Sequence, residues 1–133
     1  MNRKLRRAAK IKNKTARRKK GGTTETYPEA AQDFEAAMRL HQAGQFEDAR
    51  VSYRRVLSIQ PDHPVALHHL GVIALQAGNS EEAVEYIGMA VKAQPIYAFA
   101  HNNLGNALKN MGRIEDAKSA YTSAITQKAD YAE

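Results

Sequence analysis

The stretch LGVIALQAGNSEEA at residues 70–83 returns as LGNALKNMGRIEDA at residues 104–117, a step of 34 residues. Gly44, Gly78 and Gly112 keep that step, as do Ala49, Ala83 and Ala117 and the acid pairs Glu47-Asp48, Glu81-Glu82 and Glu115-Asp116. Tyr53, Ile87 and Tyr121 continue the register, followed by Val56, Ala90 and Ala124, then by Pro61 and Pro95, with Ala129 where a third proline would stand. A chain with a period of this length folds as stacked copies of one supersecondary unit, because no copy buries its apolar face alone.

Within each copy the apolar spacing is helical. Leu67, Leu70, Gly71 and Ala74 recur at intervals of three and four, and Ala83, Ile87, Ala90 and Val91 do so after the glycine. Each copy is therefore predicted to be two helices, and the fold class all-α. The repeats span about residues 30–63, 64–97 and 98–131. The glycine between the helices suits the left-handed backbone that ends a helix at low cost. The acids after it fall in the first turn of the second helix, where unpaired amides favour negative charge. Proline then stops that helix, since it has no N–H to donate and clashes with the preceding turn. Small Gly71 and Gly105 are expected to let the two helices lie close, facing Ala83 and Ala117.

Charge divides the chain differently. The net charge is +6. Residues 1–20 hold 11 of the 20 Lys and Arg and no acid, so residues 21–133 hold 9 bases against all 14 acids, giving +11 and −5. The segment RKLRRAAKIKNKTARRKK has few apolar groups to bury, and its like charges repel. Residues 1–26 are read as a disordered or transiently helical arm with a GGTTET joint, and residues 27–133 as the repeat domain. Arg3, Lys4, Arg6, Arg7, Arg17, Arg18, Lys19 and Lys20 form a candidate anionic-surface contact, for nucleic acid through its phosphates or for acidic lipid. No aromatic side chain lies among them to stack on bases. There are no cysteines, hence no disulfide and no thiolate zinc site. Apolar runs are too broken for a membrane span, and no apolar segment follows the basic start as in an export signal.

The combined signature resembles the tetratricopeptide repeat family over residues 30–131. Leu70-Gly71, Ala83, Ala90 and Pro95 carry it in the second repeat, and Leu104-Gly105, Ala117, Tyr121 and Ala124 in the third. The first repeat keeps Gly44, Ala49, Tyr53 and Pro61 but has Ala36-Ala37 for Leu-Gly. The resemblance implies a right-handed α-solenoid of three helix-turn-helix repeats whose first helices line a concave, peptide-binding groove. It places Val65, His68, His69, Val72, Leu75 and Gln76, then Phe99, Asn102, Asn103, Asn106, Lys109 and Asn110, on that side. The expected peptide-binding residues are His68, His69, Gln76, Asn102, Asn103, Asn106 and Asn110, since a carboxamide both donates to and accepts from a peptide backbone. The cationic clamp of the chaperone-tail-binding subfamily is missing, because its places hold Phe34, Met38, His69, Phe99 and Asn103. NNLGNALKNMGRIEDA is similar to repeats of O-linked N-acetylglucosamine transferases and their bacterial relatives, where a sixth-place asparagine grips the peptide. Asn103 matches that rung, whereas Glu35 and His69 occupy the other two. The opening MNRKLRRAAK resembles the start of many alphaproteobacterial repeat proteins, which implies a cytoplasmic location.

No phosphate loop, nucleophile elbow or paired-acid arrangement appears, and the acid pairs are accounted for by helix starts. The histidines show no ligand pair at metal-binding spacing, His41 and His63 standing at helix-end or loop positions. The chain is thus expected to be no enzyme by itself and to need no metal or cofactor. QKADYAE reaches only the start of a fourth repeat, which leaves an uncapped face, expected either to continue in a longer chain or to support end-to-end self-association. Two functions stand: a noncatalytic protein-protein interaction module holding a peptide or protein segment, or the substrate-recognition segment of a repeat-bearing glycosyltransferase.

Overall fold

The computed structural model describes residues 27–131, and the basic arm and linker expected at residues 1–26 lie outside them. Among the described residues there are six helices and no strand. They are α1 Pro28–Gln42, α2 Phe46–Ile59, α3 Pro64–Gln76, α4 Ser80–Ala93, α5 Ala98–Asn110 and α6 Ile114–Tyr131. This is the predicted all-α class of helix-turn-helix repeats. The helices fall into two compact units that divide after Pro61.

The first unit is the α1–α2 hairpin. Ala30 and Ala37 of α1 and Ala49, Ser52, Tyr53 and Val56 of α2 are buried. Among the described residues Tyr53 is the largest fully buried side chain, its ring 6.3 Å from that of Phe34. Its hydroxyl donates to Met38 Sδ at 3.2 Å and meets His41 Nδ1 at 3.2 Å. The second unit stacks two hairpins, with α5 packed against both α4 and α6. Its core begins with Ala74, Ala83, Ile87, Ala100 and Ala107 and passes through Val84 and Leu104 to Leu108, Ala117 and Ala120. One apolar seam therefore runs through both repeats of this unit.

The turns follow the sequence closely. Gly44, Gly78 and Gly112 have φ of 79°, 84° and 77°. The residue after each donates back to the last helical turn, Gln45 to Leu40, Asn79 to Ala74 and Arg113 to Leu108, each at 2.9 Å. This six-to-one bond is the helix stop that a left-handed glycine permits. The acid pairs lie in the first turns of α2, α4 and α6. At α4 the Asn79 side chain accepts from Glu82 N–H at 3.2 Å and donates to Glu82 Oε2 at 2.8 Å, a reciprocal cap. Arg113 pairs with Asp116 at 2.8 Å at the start of α6. Helices α2 and α4, each of 14 residues, stop before Pro61 and Pro95, whereas α6 runs through Ala129 for 18 residues. Where the proline is replaced, the helix continues.

Close helix contact at Gly71 and Gly105 is present, with the expected Ala83 backbone at Gly71 and with larger side chains at both glycines. A Cβ at Gly71 would overlap Ile87 Cγ1 and stand 3.3 Å from the Ala83 carbonyl oxygen, and one at Gly105 would stand 2.7 Å from the Tyr121 ring. The large residue one turn beyond each alanine fills the space that the glycine leaves. Ala83 and Ala117 are buried in the same seam.

Candidate functional site

The expected peptide-facing residues of repeats two and three lie on α3 and α5, both in the second unit. On α5 the residues Asn102, Asn103, Asn106 and Asn110 lie three and four apart, which groups them on one side of the helix. Asn102 and Asn110 are exposed, and Asn103 and Asn106 are half-buried. Phe99, one turn before Asn103, is 67% exposed, with Lys128 Nζ 5.2 Å from its ring centroid. A flat apolar ring thus stands beside a row of carboxamides. On α3, Gln76 is exposed and His69 half-buried, whereas His68 is only 6% exposed.

His68 turns into the stack. Its Nδ1 meets the Tyr97 hydroxyl at 2.9 Å, and its Nε2 meets Asn103 Nδ2 at 2.9 Å. Its ring also lies 4.9 Å from the Tyr97 ring and 5.4 Å from that of His69. Both ring nitrogens are thereby bonded within the protein, and His68 joins α3 to α5. Asn106 is also engaged, its Oδ1 accepting from the Tyr121 hydroxyl at 2.5 Å. Burial raises the pKa of Tyr97.

The loop before α5 is held from two sides. Gln127 of α6 accepts from Tyr97 N–H at 3.0 Å and donates to the Pro95 carbonyl at 2.8 Å. His101 Nε2 approaches the same carbonyl at 2.7 Å, so this side chain clips the loop to α5. Sequence reasoning reaches neither Gln127 nor Tyr97, and for Gln127 no signal exists, since Ile59 and Ala93 occupy the equivalent places. The Tyr121–Asn106 pair does leave a signal. Tyr53 pairs with Met38 at the same two places of the first repeat, and the apolar pair Ile87 and Val72 occupies them in the second.

Among the described residues no group of three His, Cys, Asp or Glu side chains is placed to hold a metal ion. An open depression of about 380 Å³ is lined by Asn79, Glu81, Glu82, Glu85 and Tyr86, whose carboxylates include the acid pair that begins α4. No helix among the described residues is long and apolar enough to cross a membrane.

Solved structures share this fold. The first repeat domain of Spaghetti (RPAP3), bound to the HSP90 peptide SRMEEVD, superposes with a TM-score of 0.74 at 18% identity over 81% of this chain and 86% of that one. The Sgt2 repeat domain of Aspergillus fumigatus gives 0.71 at 25% identity over 81% and 73%. An O-GlcNAc transferase mutant of Thermobaculum terrenum gives 0.74 at 30% identity over 83% of this chain and 21% of that one. Models of the tetratricopeptide repeat match residues 40–98 and 100–131. Together with the glycine stops, the helix pairs and the repeat register, these matches make the chain a member of the tetratricopeptide repeat family.

Proposed function

We propose that the protein is a protein-protein interaction module whose α3–α5 face holds an extended peptide or protein segment. The observation that carries this reading is the row of carboxamides on α5 beside the exposed Phe99 ring. Amides bond to a peptide main chain whatever its side chains, and an exposed aromatic ring adds contact area at low entropy cost. Asn102, Asn110 and Gln76 supply the freely accessible amides, while Asn103 and Asn106 supply oriented ones. His68 serves by holding Asn103, and the half-buried His69 lies beside it.

The Spaghetti domain takes an acidic peptide, and its likeness to this chain supports the fold that such ligands use. The ligand here is of a different kind. Of the places that the resemblance to the chaperone-tail-binding subfamily assigns to a cationic clamp, those in this unit hold His69, Phe99 and Asn103, none of them Lys or Arg.

The test is a selection of peptides from a phage-displayed library on the full chain, followed by titration calorimetry. Asn102→Ala/Asn110→Ala is expected to weaken a selected peptide by about tenfold, the value of one or two hydrogen bonds. Equal affinity removes the assigned site. A second reading rests on the 30% identity with the O-GlcNAc transferase, of whose chain this protein spans 21%. On that reading the same face selects substrates for a transferase. The gene sequence beyond codon 133 separates the two, because only the second reading requires a catalytic domain in the same polypeptide.

A further inference from the structure

We infer that His68 and Tyr121 fix the two half-buried amides of α5 with opposite polarity, Asn103 presenting an acceptor and Asn106 a donor. A ligand that brings an N–H to the first and a carbonyl to the second is then favoured. This rests on the reading that the α3–α5 face holds a peptide, and it adds the order in which that face reads donors and acceptors.

Asn103 Nδ2 lies 2.9 Å from His68 Nε2. An amide nitrogen has only hydrogens to offer, so Nε2 is the bare, accepting nitrogen of the ring. The ring proton then sits on Nδ1 and points at the Tyr97 hydroxyl oxygen, 2.9 Å away. At 6% exposure, His68 has little water to exchange these partners for. One N–H of Asn103 is spent, which leaves one N–H and both lone pairs of its carbonyl oxygen for a ligand.

Asn106 is turned the other way. Its Oδ1 accepts from the Tyr121 hydroxyl at 2.5 Å, at the short end of O–H···O distances and below the N–H···O range. Both hydrogens of its Nδ2 and one lone pair of Oδ1 therefore remain, so donors outnumber acceptors at Asn106 while acceptors outnumber donors at Asn103. Tyr121 has little room to swing, because its ring occupies the notch over Gly105, 2.7 Å from where a Cβ would stand. Residues 103 and 106 are one helical turn apart on the same side. In an extended peptide, the N–H and C=O of one residue emerge on the same edge. Two free amides would rotate to accept either order of these groups; two anchored amides favour one.

The test starts without ligand, on the full chain labelled with ¹⁵N at Asn and His. Long-range proton–nitrogen correlation is expected to show His68 protonated at Nδ1 and bare at Nε2. The opposite tautomer overturns the Asn103 half. Tyr121→Phe keeps the ring over Gly105 and removes only the hydroxyl, so the order parameter of the Asn106 side-chain NH₂ should fall. An order parameter equal to that of wild type overturns the Asn106 half.

A second arm uses one phage-selected peptide, resynthesised with each backbone amide in turn replaced by an ester, which deletes one N–H. In wild type one ester position should cost about tenfold in affinity, and Tyr97→Phe, which frees the His68 tautomer, should reduce that penalty to about threefold or less. An equal penalty in both proteins overturns the positioning role even though the peptide binds. If no peptide is selected at all, the peptide reading falls, and the ligand-free spectra decide the amide polarity by themselves.

Discussion

Glycine serves two unrelated purposes in this chain, and substitution separates them. At Gly71 and Gly105 the missing side chain makes room for Ile87 and Tyr121. Gly105→Ala should cost about 1–3 kcal/mol by overpacking, read as a lower urea midpoint. Gly88 lies within α4, and a Cβ there would meet nothing within 4 Å. Gly88→Ala should therefore raise stability by about 0.5–1 kcal/mol through helix propensity alone. A midpoint that moves in the same direction for both variants contradicts this division. The sequence shows where small residues recur but not what fills the space they leave. Repeat register points to Ala83 and Ala117, and the Ala83 carbonyl does stand at the Gly71 notch, yet the space itself is filled by Ile87 and Tyr121, whose longer side chains reach back across the hairpin. The site residues show the same limit. Asn102 and Asn110 are the exposed amides that spacing implies, whereas the engagement of His68 by Tyr97 depends on a loop conformation no local pattern encodes.

Element boundaries are the most legible feature of the sequence, because glycine, acid pair and proline each act through backbone geometry or charge within one turn. The cap of α3 adds a pH dependence to one boundary. His63 Nδ1 accepts from Ala66 N–H at 3.1 Å, which requires that nitrogen to be unprotonated. Burial lowers the His63 pKa from 6.5, partly opposed by a backbone hydrogen bond and by Asp62. A lowered folded value means the unfolded chain takes up the proton first, so this contribution is whole above the unfolded pKa and lost as pH falls through the folded one. Asparagine caps without titrating. His63→Asn should accordingly flatten the fall in thermal midpoint between about pH 7.5 and about pH 5, and an unchanged slope would refute the cap's role. Gln127 provides a boundary of another sort, tying α6 to the loop before α5 through Tyr97 N–H and the Pro95 carbonyl. Gln127→Ala should cost about 1–2 kcal/mol and speed amide exchange at Tyr97, since two hydrogen bonds are lost together.

Across the whole chain, +11 in residues 1–20 stands against −5 in the remainder. We propose that the basic segment contacts an anionic surface, and deletion of residues 1–20 should abolish salt-sensitive retention on heparin. Retention by the shortened protein would assign the effect to the repeats instead. The repeats themselves carry a rule about what can be exchanged between them. A tyrosine after the turn faces Met38 or Asn106, while Ile87 takes that place in the repeat with Val72. A graft moving α6 into the position of α4 would bring a phenol to an aliphatic wall, and the reverse graft would leave a carboxamide facing a hydrocarbon. Recombination along such an array is therefore tolerated when both helices of a hairpin travel as one cassette, and the breakpoints that preserve folding fall in the linkers after Ile59 and Ala93 rather than at the glycine turns.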